Sequence, residues 1–168
     1  VPYDNYEVLP TRFPLPKHLS KVVQVFEKNN AALSDDVLKG VKKSHVLKIV
    51  KKGLRENGFA VEESKKAKDK IRIGSFNVDA YQKETGTIID IEAGRAHHNY
   101  EFLKALFESC IIKEANYLVI AVPTQYTING ESGEQTEKTF DSVIKHFDDL
   151  YASDRLKLPL KGVLIIGY

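Results

Sequence analysis

The sequence holds a single cysteine, Cys110, and neither tryptophan nor methionine among its 168 residues. One cysteine excludes an intrachain disulfide and any zinc site built from several thiolates. Cys110 falls on the apolar face of a helical pattern, so it reads as a packed side chain rather than a nucleophile. The lack of any methionine, an initiator included, is expected of a processed or trimmed chain, or of one from which residues are missing. No apolar run approaches the roughly 20 residues that cross a bilayer, and Val1-Pro2-Tyr3-Asp4 has neither the basic start nor the apolar core of a signal peptide. A cytoplasmic protein without a membrane partner is expected. Gly-x-x-x-x-Gly-Lys-Ser/Thr, Gly-x-Gly-x-x-Gly and Gly-x-Ser-x-Gly are all missing, which leaves no visible phosphate cradle for a nucleotide enzyme and no elbow for a serine hydrolase.

What is present is an ordinary globular composition, 42% hydrophobic and 29% charged, at a length that fits one domain spanning 1–168. The net charge of +2 conceals a polarity along the chain. Between Lys39 and Lys70 eleven basic residues face four acids, whereas between Asn129 and Asp154 seven acids face two bases. The first region suits a phosphate backbone and the second does not.

Pro2, Pro10, Pro14 and Pro16 make residues 1–16 read as an extended arm, suited to wrapping a neighbour. Leu19, Val22, Val23 and Phe26 mark a helix ending at Asn29-Asn30. A second helix is expected from Ser34-Asp35-Asp36 toward Asn57-Gly58, with a break near Lys42-Lys43-Ser44. In its later part Val46, Leu47, Val50 and Leu54 form an inner face, and Lys48, Lys51, Lys52 and Arg55 an outer, basic one. Phe59-Ala60-Val61 opens a sheet, Ser64 to Lys70 is a basic loop, and Ile71-Arg72-Ile73 precedes a hairpin. Beyond it come a helix with Phe102, Leu103, Leu106, Phe107, Cys110 and Ile111, and the apolar strand Tyr117 to Val122, an order that reads as a crossover unit. Thr124 to Glu134 is expected as a surface loop, Thr136 to Tyr151 as a helix and Gly162 to Gly167 as a last buried strand. This order predicts an α/β fold, a mixed central β-sheet flanked by helices on both faces.

The chemistry concentrates in the hairpin, Phe76-Asn77-Val78-Asp79-Ala80-Tyr81 and Thr87-Ile88-Ile89-Asp90-Ile91-Glu92, joined by a turn in which Gly86 supplies positive φ. Alternation puts Asp90 and Glu92 on one strand face, and pairing brings Asp79 beside them. Carboxylates so close repel unless water or a cation compensates, and Mg²⁺ is held by such groups together with waters and phosphates. The same acids also fit a plain solvated surface.

The element Val78-Asp79 followed by Asp90-Ile91-Glu92 resembles the core of the PD-(D/E)XK nuclease superfamily over roughly residues 45 to 125, with Asn77 close to where the family often has proline. Glu92 stands where the commonest form has lysine, which is similar to the acid-x-acid variant of BamHI-type restriction endonucleases. That departure removes the lysine that orients the attacking water in the family. A second register, with Glu92-Ala93-Gly94 as the tripeptide and its functional third residue either missing or supplied by Arg95, leaves a gap and is less favoured. The resemblance implies a restriction-endonuclease-like fold and a Mg²⁺-dependent DNA endonuclease, most like a type II restriction enzyme, with one or two Mg²⁺ per active site.

It further implies Asp79, Asp90 and Glu92 as catalytic metal ligands, with the Ile91 carbonyl and Glu56, from the preceding helix, as additional ones. As a plain surface residue, Glu56 would pair with Lys52 instead. Arg95, His97, His98 and Lys104, together with Lys48, Lys51, Lys52 and Arg55, are the expected nucleic-acid contacts, and double-stranded DNA the partner. Adjacent histidines point apart and no further His or Cys has zinc spacing, so His97-His98 suits phosphate or base contacts or a turn. Cutting both strands implies a homodimer. The alternative is a catalytically inactive nuclease-fold module for nucleic-acid binding or assembly, and the motif does not separate DNA from RNA.

Overall fold

The computed structural model describes residues 5–10, 14–37, 42–64, 66–93, 100–130 and 133–168. Along the chain run β1 (Tyr6–Leu9), α1 (Lys17–Lys28), α2 (Asn30–Val37), α3 (Lys43–Glu56), β2 (Ala60–Val61), a 3₁₀ turn (Ala67–Asp69), β3 (Ile71–Ile73), β4 (Phe76–Val78), β5 (Ala80–Gln82) and β6 (Thr87–Ile91). Then follow α4 (Glu101–Ile111), β7 (Tyr117–Val122), β8 (Tyr126–Gly130), β9 (Gly133–Glu137), α5 (Thr139–Ser153) and β10 (Gly162–Gly167).

Six strands form one mixed sheet in the order β1-β10-β7-β6-β5-β2. β6, β7 and β10 are parallel at its centre, while β1 pairs antiparallel with β10, β5 with β6, and β2 with β5. The central strands carry almost unbroken apolar runs because both of their faces are covered. Ile89, Ile91, Val119, Ala121, Leu164 and Ile166 meet Leu19, Phe26, Val46, Val50 and Leu54 of α1 and α3. The alternate residues Ile88, Leu118, Ile120, Val122, Val163 and Ile165 meet Phe102, Leu106, Phe140, Val143 and Phe147 of α4 and α5. Each of these buried side chains other than Ala121 stabilises the fold by about 1.5–3 kcal/mol. Helices thus lie on both faces, and the β6-α4-β7 crossover has the expected order.

The hairpin turn is as the sequence implied: Gln82 pairs with Thr87, and Gly86 between them has φ of +66°. A Cβ on Gly86 would collide with the Glu114 carbonyl and the Asn116 amide, because the Gly86 carbonyl accepts the N–H groups of Asn116 and Tyr117 at 2.8 and 3.1 Å. The turn is thereby pinned to the start of β7.

Four expectations need correction. Part of the arm is a strand of the chain's own sheet, with Tyr6 to Leu9 paired to β10 and Leu9 buried. The second helix begins at Asn30, not near Ser34: the Asn29 amide bonds the Val25 carbonyl at 2.8 Å to close α1, and the chain re-enters a helix at once to bury Leu33. Residues 124 to 134 contain not a loop but most of the β8–β9 hairpin, with Thr127 opposite Thr136. Only Tyr126 and Ile128 alternate as a strand should, and β9 has no apolar residue at all. The strand expected over 76–81 is divided at Asp79, β4 pairing with β3 in a separate ribbon and β5 entering the main sheet.

Candidate active site

The division at Asp79 builds the site. Ala80 pairs with Ile89, so the residue before it comes alongside Asp90, and Asp79 Oδ2 accepts the buried Ile91 N–H at 2.7 Å. That bond holds a carboxylate that is almost fully buried, its side chain 5% exposed. Asp90 has the parity of Ile88, and Glu92, just past β6, continues it; the Glu92 N–H donates to the Ala121 carbonyl at 2.8 Å. Tyr168, after β10, donates its hydroxyl to the Glu92 carbonyl at 2.6 Å. The ends of three parallel strands are thus tied together at one edge of the sheet, the position at which α/β sheets bind ligands.

Asp90 lies close enough to both Asp79 and Glu92 for neighbouring carboxyl groups to share a proton, and the electrostatics favour that. Burial and the charge of Asp90 raise the pKa of Asp79 to about 7, against the opposing pull of Lys43 and the Ile91 N–H. Burial and Asp90 likewise push Glu92 to about 8. Asp90 itself is held below its ordinary value: burial would raise it, but Lys43 and the hydrogen bonds from Glu92 and Asp79 outweigh that. Near neutrality Asp90 carries the charge and its neighbours share or hold protons.

The one cation in contact with these acids among the described residues is Lys43, the first residue of α3. Its Nζ lies 2.8 Å from Asp79 Oδ2 and 3.2 Å from Asp90 Oδ1. Burial works to lower its pKa, but Asp90 and Asp79 overcome this and hold it above the usual lysine range. Lys43 was missed as a site residue in the sequence. The expected break at Lys42-Lys43-Ser44 was the available signal, because it puts Lys43 at a free helix end.

Glu56, expected from the same helix, stands thirteen residues after Lys43, about 20 Å along the axis at 1.5 Å per residue. It is exposed, so α3 serves the carboxylates through its beginning and not its end. Ile91 contributes its N–H, given to Asp79, while its side chain is buried on the opposite face. Among the described residues no group of three or more His, Cys, Asp or Glu side chains is disposed to hold a metal ion. Lys43 Nζ instead bridges two of the three acids.

Asp79 and Lys43 open into a groove of about 940 Å³ lined by Lys42, Lys43, Lys48, Lys51, Lys70 and Lys104, against Glu62, Glu63, Asp79 and Glu108. Of the expected basic contacts, Lys48, Lys51 and Lys104 line it. Lys51 is engaged by Glu63 at 2.6 Å, and Arg55 pairs with the same carboxylate. Lys52 is exposed outside the groove. Arg95, His97 and His98 lie outside the described residues. His146 is satisfied by the Ser142 carbonyl at 2.7 Å and by the edges of Tyr100 and Phe102, and Cys110 is half-buried against the α4–α5 core, which raises its pKa. No helix among the described residues is long and apolar enough to cross a membrane. No family model, curated protein or solved structure matches the chain.

Proposed function

We propose that this chain is a Mg²⁺-dependent endonuclease of double-stranded DNA, of the PD-(D/E)XK type and most like a type II restriction enzyme. The observation that carries the reading is the clustering of Asp90 and Glu92 with Asp79, which lines a groove where six lysines face four acids. A phosphate backbone matches that rim, and the acids beneath it have too little positive charge around them. The donor chemistry suits Mg²⁺, since all three groups are hard oxygen ligands, and burial together with the charge of Asp90 leaves Asp79 and Glu92 with protons that a cation would displace. Asp79, Asp90 and Glu92 would hold the ion once the Lys43 ammonium, which bridges two of them, has moved aside.

When bound, the ion lowers the pKa of water and neutralises charge developing on the phosphate. The chain's own groups do the rest. Lys42, Lys48 and Lys70 hold backbone phosphates and fix the strand in the groove. Lys43, on a flexible stem and 39% exposed, reaches from the acids toward the groove and supplies the ammonium that the Asp90-Ile91-Glu92 tripeptide lacks.

A second reading is favoured by one observation: Lys43 already bridges Asp79 and Asp90, which suits a self-neutralised, inactive module that only binds nucleic acid. Nicking of supercoiled plasmid separates the two. The enzyme reading expects cleavage with Mg²⁺, none in EDTA, and none by Asp90→Ala, which still binds DNA. Cleavage that persists in Asp90→Ala, or wild-type binding without any nicking, overturns it.

A further inference from the structure

We propose that the outer face of α4 is a homodimer interface, occupied by α4 of a second copy running antiparallel to it. Tyr100, just before the helix, and Leu103, Phe107 and Ile111 on it are 54, 40, 68 and 50% exposed. Among the described residues the one other large apolar side chain so exposed is Leu156, far along the chain. Positions 103, 107 and 111 are spaced four apart and therefore form one stripe. The opposite face of the same helix, with Phe102, Ala105 and Leu106, is already buried against the sheet. A helix apolar on both sides is an element with a missing neighbour.

Charge selects the neighbour and its direction. Lys104 and Glu108 flank the stripe on its groove side, four residues apart. In a two-fold antiparallel apposition centred on Phe107, Lys104 of each copy lies within side-chain reach of Glu108 of the other, the axial offset being about 3 Å at 1.5 Å per residue. In a parallel two-fold apposition the Lys104 and Glu108 flank of each copy faces the opposite flank of the other, so these charges do not meet. The stripe is thus self-complementary in one orientation, with Phe107 against Phe107 and Leu103 against Ile111. If the nuclease reading holds, the same flank lines both grooves, so the dimer brings two sets of acids to one duplex, one for each strand.

Sedimentation equilibrium of the whole chain, in EDTA and without DNA, tests the interface at 1 to 100 µM. The wild type is expected at twice its 19.0 kDa mass. Phe107→Glu is expected to weaken association by about a hundredfold or more with an unchanged circular dichroism spectrum, since the side chain is exposed and its loss leaves the core intact. Ile111→Lys provides a second variant with the same expected direction. Lys104→Glu alone should weaken the dimer, and Lys104→Glu with Glu108→Lys should restore it. A wild type that remains monomeric at 100 µM, or a dimer as tight in Phe107→Glu as in the wild type, overturns the proposal. Because mass is read without metal or nucleic acid, either result leaves the plasmid-nicking outcome independent.

Discussion

Asp79→Asn should make the metal-free protein more stable at alkaline pH while abolishing any Mg²⁺-dependent activity. The substitution is nearly isosteric: its amide oxygen can keep the 2.7 Å bond from the Ile91 N–H, and its amide group can donate to Asp90. Asp79 is raised from 3.8 to about 7, so the folded state binds this proton more tightly than the unfolded chain does. The resulting stability is complete below pH 4 and is lost as pH rises through about 7. About 1.4 kcal/mol per tenfold in proton affinity sets a ceiling near 4 kcal/mol for the whole range, about half of it falling between pH 5.5 and 8.5. Sharing of protons with Asp90 and relaxation of Lys43 reduce it, so the wild type should lose roughly 1–2 kcal/mol relative to Asp79→Asn over that interval.

Urea titration of both proteins in EDTA at the two pH values measures this difference directly. It also corresponds to about 2–8 °C in Tm for a domain of this size. Millimolar Mg²⁺ at pH 8.5 should recover the wild type and leave the variant unchanged, through selective binding to the folded state. A stability gap that does not move with pH, or that moves in the opposite direction, would falsify the view that these carboxylates are held together at an electrostatic cost.

Lys43→Met should destabilise the metal-free protein at pH 8.5 by roughly 1–2 kcal/mol, a value discounted because the ammonium is 39% exposed, and by less at pH 5.5, where Asp79 is already neutral. Denaturant melts at both pH values check it, and equal losses would mean that the lysine acts only through packing. Lys48→Glu with Lys70→Glu should weaken DNA binding at every sequence tested and flatten the dependence of log K on log salt by about two phosphate contacts. Fluorescence anisotropy across a salt series reads that slope, and an unchanged slope removes the groove as the track for DNA. Gly86→Ala should cost about 2 kcal/mol or more, since φ is +66° and a Cβ meets the Glu114 carbonyl. Calorimetry showing a neutral effect would contradict the pinned turn.

How much was legible in the chain depends on how local each signal was. The alternation of Ile88 to Glu92 gave the face of every residue on β6, and the glycine at 86 gave the turn, because both follow from backbone geometry within a few residues. The hairpin from Tyr126 to Glu137 was invisible for the converse reason: its alternation is limited to Tyr126 and Ile128 on one strand, and Gly133-Glu134-Gln135-Thr136-Glu137 has no apolar residue to mark the other. Likewise the division of the strand at Asp79 depends on β4 finding β3 while β5 finds β6, a choice made between pairing partners and not within the segment.

The sequence by itself determined that Asp90 and Glu92 share a side, that the central strands are covered on both faces, and that the basic stretch precedes the acids. Only the tertiary structure decided which cation meets them. Lys43 lies 36 positions before Asp79 and 47 before Asp90, on another element, so no periodicity links them. Their contact arises because packing of Val46, Val50 and Leu54 against the sheet brings the start of α3 to the acids and carries Glu56 away. Electrostatic partners separated so far along a chain are selected by the core that positions their elements, and the charges then adjust their protonation to that placement.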